Sequence, residues 1–221
     1  MERELLRTGL SGSPLTAWLA RHDLVERAAP PPLVEGLGQW LGWTEAIALS
    51  AGLHSATESG TRAPSLPALQ REFERVNQTL RQAIAGDDTA PQPARRRPPA
   101  EPVVAADDGF APHRQRYTTL QQTMEIAVKA LRAQARAAVA RLSPRLAAVD
   151  AVMENMLAER EQLLLARLPT LLDTHFERLR RAHAGTAWLP RFRADLQQLA
   201  TAELQLRLQP AQGLLHTLSP R

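Results

Sequence analysis

Metal chemistry is the first use to test for the histidines. His175 and His183 stand eight residues apart in a helical stretch. An ideal helix projects residues at that spacing about 80° apart. No His-Glu-x-x-His arrangement surrounds His175, and no Glu-x-x-His pair of the di-iron type is present. Both therefore read as polar residues on a partly solvated face, and no metal is expected. Glycines 36, 38 and 42 form Gly-Leu-Gly-Gln-Trp-Leu-Gly. A phosphate-cradling loop needs a preceding strand and a Lys-Ser/Thr after it, and neither is there; close helix packing explains these glycines better. No Gly-x-Ser-x-Gly elbow or other nucleophile motif occurs. Glu154, Glu159 and Glu161 lie in an arginine-dense helix, where carboxylates are usually solvated or ion-paired. No catalytic residue and no cofactor is expected, and the chain reads as a non-enzyme.

Two residue sets could instead bind macromolecules. Basic side chains concentrate at Arg178, Arg180 and Arg181, at Arg95, Arg96 and Arg97, and over residues 112–142, which hold six bases and one acid, Glu125. Such clusters neutralise phosphates and make affinity salt-dependent, so an arginine-mediated nucleic-acid binder is the alternative function. No recognised nucleic-acid motif accompanies them. Trp18, Trp40 and Trp43 all fall in the N-terminal region. They fill a small core, or they line a partner-binding groove, tryptophan being enriched in interface hot spots.

The composition limits the elements that position these residues. Of 221 residues, 35 are leucine and 37 alanine, against 12 valine plus isoleucine and 9 aromatics. That balance favours helix over sheet, so sandwiches, barrels and large parallel sheets are excluded. With no cysteine, disulfides and thiolate sites are excluded too. Net charge is +4, split as −3 over residues 1–111 and +7 over residues 112–221. The most apolar window, 36–53, carries Gln39, Thr44 and Glu45 and is short of the roughly 20 apolar residues of a membrane span. The acidic start, Met-Glu-Arg-Glu, has no signal-peptide core. A cytoplasmic location follows as the expectation.

The expected fold is all-α. Residues 1–85 read as a small N-terminal helical bundle: a helix after Ser13-Pro14, a second over 33–54, and a third from Ser65 to Gly86 with Leu69, Phe73, Val76, Leu80 and Ile84 on one stripe. Residues 86–112, with six prolines and four aspartates, read as a disordered linker. Residues 113–221 read as a long antiparallel hairpin with further helices. Its first arm carries Tyr117, Leu120, Met124, Val128, Leu131, Ala135, Ala138 and Leu142 at coiled-coil spacing. Ser143-Pro144 turns the chain, and Leu146, Val149, Met153, Leu164 and Leu168 continue on the second arm. Pro169 kinks that helix or begins the next, and Pro210 is expected to end the last.

Folding the arms back on each other pairs residues whose numbers total roughly 287, by equal rise per residue. Arg136 then falls near Asp150, Arg132 near Glu154, and Lys129 within reach of Glu161 or Glu154. Salt bridges across the seam are the expectation, as at the e and g positions of coiled coils.

Four phrases carry a resemblance: Gln39-Trp40-Leu41-Gly42-Trp43-Thr44-Glu45-Ala46-Ile47, Phe110-Ala111-Pro112 with Arg116-Tyr117, Leu168-Pro169 with His175-Phe176-Glu177-Arg178-Leu179-Arg180, and Ala202-Glu203-Leu204-Gln205-Leu206-Arg207-Leu208-Gln209-Pro210. Together they resemble domain-of-unknown-function family 3348, found in proteobacteria, over most of the chain outside the linker. The resemblance implies no activity. It implies a setting, beside relatives of proton-driven motor channels and OmpA-like cell-wall binders, and so a soluble accessory of an envelope assembly. The function expected is a helical scaffold or adaptor with a protein partner; homo-oligomerisation is left open.

Overall fold

The computed structural model describes residues 13–25, 47, 50–51, 64–86, 109–183, 185 and 187–219. Six helices are delimited among the described residues: α1 (Pro14–Arg21), α2 (Leu66–Ala85), α3 (Ala111–Leu142), α4 (Pro144–Leu165), α5 (Leu168–Ala182) and α6 (Leu189–Leu218). No strand occurs among the described residues, so the protein is all-α.

Every one of these helices has a proline in its first two positions. An N–H there has no partner within the helix, and the fixed φ of proline is already helical, so the residue fits without loss. Ser13 and Ser143 add side-chain caps, accepting from Thr16 N at 3.2 Å and Leu146 N at 3.4 Å. Gly109 and Gly185, at φ 63° and 70°, turn the chain ahead of α3 and α6. Pro169 begins α5, with the break at Ala166 and Arg167.

α3 and α6 form the spine. The α3 stripe is buried from Tyr117 to Val139; Tyr117 to Leu131 share a cluster with Phe192, Leu196, Leu199, Ala200, Leu204 and Leu208 of α6, and Ala135, Ala138 and Val139 cluster with Leu214 and Leu215. At 32 and 30 residues, these helices are each about 45–48 Å long. α1 lies on α6, α2 on both α3 and α6, and α5 against both.

The sequence leaves open whether the N-terminal helices pack on the later ones. α1 and α2 share one core with them: Leu15, Trp18, Leu19, Val76, Leu80 and Ile84 join Tyr117, Phe176 and Phe192. Short amphipathic helices bury little alone, and α3 and α6 offer a longer apolar surface. The helix expected over 33–54 lies outside the described residues except for Ile47, Ser50 and Ala51, which are helical; the linker also lies largely outside them. Pro210 does not end the last helix, which continues to Leu218. Burial of Leu208, Ala211, Leu214 and Leu215 holds the segment on both sides of the proline. Leu142 is 72% exposed at the tip of the hairpin.

Candidate functional site

Four clusters of side chains stand out. In the first, three distant segments converge. His22 caps the C-terminus of α1, His175 sits in the middle of α5, and Asp195 lies near the start of α6. His175 and Asp195 are buried, and His22 is half-buried. His175 Nε2 is 2.8 Å from Asp195 Oδ2. Arg178 Nη2 reaches His175 Nδ1 at 3.2 Å and the His22 carbonyl at 2.5 Å. A guanidinium can only donate, so Nδ1 accepts and the neutral ring carries its proton on Nε2, donating to Asp195. Trp18 packs against His22 at 4.2 Å, the rings tilted by 37°, and meets the edge of His175 at 5.9 Å. The two imidazoles are 4.6 Å apart at 71°. Burial first, with the charges of Arg178 and Arg21 adding to it, holds the His22 imidazole below its ordinary range against the opposing pull of Asp195. One ligand atom from each of His22, His175 and Asp195 lies within 4.8 Å of the others.

The second cluster is a buried polar knot between α3 and α6. Tyr117 and Glu203 are both fully buried, and the Tyr117 hydroxyl donates to Glu203 Oε2 at 2.5 Å. Gln121 Nε2 donates to both Glu203 oxygens at 3.2 Å and to the Leu165 carbonyl at 3.0 Å. Arg207 pairs with Glu203 at 2.8 Å and with Glu161 of α4 at 3.9 Å. Burial, reinforced by the Glu203 charge, pushes the Tyr117 phenol well above its usual range, and partial burial raises Glu161. The knot satisfies its own members and ties three helices together.

The third cluster is the seam of the α3–α4 hairpin. Arg132 and Arg136 each lie 2.7 Å from Asp150, Arg136 also bonds Glu154, and Arg132 is 4.0 Å from Glu154. The antiparallel register thus brings together four of the six residues expected there. Lys129 is exposed and takes no part. Glu161 meets Arg207 of α6 instead, at 3.9 Å.

The fourth is a face of α4. Its ends touch α6, through Ala147 beside Leu214 and Glu161 beside Arg207; between them α4 rests on α3. Val149, Val152, Met153, Met156 and Leu163 share an arc of about 100° at helical spacing, and exposed Arg160 interrupts it between Met156 and Leu163. The first four are half-buried and Leu163 is 64% exposed.

The remaining expected site residues are placed as follows. Trp18 is 3% exposed and belongs to the core; Trp40 and Trp43 lie outside the described residues. Arg178 is turned onto His22 and His175. Arg180 pairs with Glu177 at 2.8 Å, and Arg181, 81% exposed, is 3.8 Å from the same carboxylate. His183 is exposed and apart from His175, its Nδ1 3.1 Å from the Leu179 carbonyl. His22, Asp195 and the Tyr117–Glu203 knot were not singled out from the sequence, because no local spacing links their members.

Fold and clusters together define an all-helical protein with one extended core and an ion-paired hairpin along its side. Comparison places it more closely. The chain belongs to domain-of-unknown-function family 3348, whose model, described as a protein of unknown function, matches residues 1–220. No curated protein and no solved structure matches it. No helix among the described residues is long and apolar enough to cross a membrane.

Proposed function

We propose that this chain is a non-enzymatic helical scaffold or adaptor that docks an amphipathic helix of a partner protein along α4. The observation that carries this reading is the arc of Val149, Val152, Met153 and Met156, an apolar patch left partly open on a helix that rests on α3 along its middle, with exposed Arg160 and Leu163 continuing the same arc. Helix-in-groove recognition uses apolar anchors at such spacing, and methionine adapts to irregular partners. The Arg132–Asp150–Arg136–Glu154 seam supports the reading from behind, since it holds α4 in register without occupying that arc. The same seam engages two of the bases on which nucleic-acid binding was to rest. A cytoplasmic accessory of a proton-driven envelope assembly is the setting that the family resemblance implies.

The test places a photo-crosslinking residue at position 153 or 156 of the full chain in its native host, with exposed Gln78 of α2 as control. An adduct with one and the same protein from both α4 positions, absent from position 78 and abolished by Val152→Glu, is the expected result. Adducts only with a second copy of this chain, or none, would overturn the reading.

A further inference from the structure

We propose that His22, His175 and Asp195 form a binding site for one divalent transition-metal cation of the zinc type, joining α1, α5 and α6. Two imidazoles and one carboxylate are a donor set that zinc accepts, with an open fourth position for water. The ligand atoms come from residues far apart in sequence and already lie within 4.8 Å of one another. In tetrahedral zinc sites neighbouring ligand atoms are about 3.3 Å apart. The His175–Asp195 pair, now at 2.8 Å, needs to open by about half an ångström, and His22, within 4.8 Å of the others, to close by up to about 1.5 Å. His22, half-buried at the end of a short helix, has the freedom to do this and gives the cation an entry path. Trp18 and Phe192 flank His175 at 5.9 and 6.2 Å, an apolar wall that keeps water from competing with the ligands.

The proton on His175 Nε2 is what the cation would replace. Once Nε2 coordinates, the ring proton moves to Nδ1, and Nδ1 no longer accepts from Arg178. The guanidinium then keeps only the His22 carbonyl. Arg178 therefore holds the cation-free form, both by occupying Nδ1 and by its own positive charge. Arg178 is an exposed side chain, so it can swing clear.

The experiment titrates the full chain with Zn²⁺ by calorimetry and with Co²⁺ by visible absorption, after dialysis against chelator. One equivalent of Zn²⁺ is expected to bind, with the absorption of four-coordinate Co²⁺. His22→Ala and Asp195→Asn should each weaken binding by about 100-fold or more, and His183→Ala should leave it unchanged. Arg178→Gln should tighten it by about tenfold, the low end of outer-shell effects. Circular dichroism of each variant separates lost binding from lost fold, and His22, at the half-buried end of α1, is the variant least able to unfold the core. Absence of uptake in both the wild-type chain and Arg178→Gln would overturn the proposal. So would uptake that survives His22→Ala and Asp195→Asn in the folded variants.

Discussion

Removing one oxygen, by Tyr117→Phe, tests the account of the α3–α6 knot. The hydroxyl donates at 2.5 Å to a carboxylate with no solvent access. A hydrogen bond to a charged group contributes about 1.5–3 kcal/mol net. Glu203 would keep Gln121 and Arg207 as donors, so it is not orphaned, and a loss of about 2 kcal/mol is expected within that range. For a chain of this size that lowers Tm by about 4–8 °C. Glu203→Gln should cost more, about 3–5 kcal/mol, because Arg207 then keeps only the 3.9 Å contact with Glu161. Urea melts followed by circular dichroism on both single variants and the double variant give the coupling, expected at about 1 kcal/mol or more. Thr118→Ala, on the exposed side of α3, should stay within about 0.5 kcal/mol and serves as control. If Tyr117→Phe costs no more than that control, or if the coupling is zero, the knot does not hold α3 to α6 and the reasoning fails.

Tyr117 is the one tyrosine of the chain, and its phenol is pushed upward by burial and by Glu203. Its stabilising effect is present below the unfolded pKa of about 10 and is lost above it, so alkaline titration should show the tyrosinate band rising only together with unfolding by circular dichroism. In the hairpin, Arg136→Ala should destabilise by about 1.5–3 kcal/mol, since it removes bonds to both Asp150 and Glu154. Lys129→Ala should stay within about 0.5 kcal/mol; equal urea midpoints for the two variants would contradict the seam. His22 has its folded pKa lowered, so the unfolded chain takes up its proton first as pH falls below about 6.5. Stability should therefore decrease on acidification, with His22 contributing at most about 1.4 kcal/mol per pH unit. His22→Gln should give a measurably shallower pH dependence of the urea midpoint, and an unchanged slope would remove His22 as a contributor.

The sequence by itself determined the helix starts, the α3 stripe, the turn and the hairpin register. Helix starts were legible because Ser13-Pro14, Pro67, Ser143-Pro144 and Pro169 act on their own first turn. The α3 stripe was legible because burial on one side of a helix repeats every three or four residues. Arg132, Arg136, Asp150 and Glu154 could be paired because one turn and a constant rise carry the register from residue 143 outward. Lys129 and Glu161 escaped that logic at the far end of α4, where a third helix, α6, supplies Arg207. Only the tertiary structure decided that α1 and α2 join the main core, that α6 runs through Pro210, and that Tyr117 finds Glu203 across 86 positions. It alone brought His22 of α1 beside His175 of α5 and Asp195 of α6. The physical reason is that caps, stripes and hairpin register are set by neighbours within a few turns, whereas these contacts depend on which helix faces pack together, and burial then obliges the polar groups trapped there to find one another.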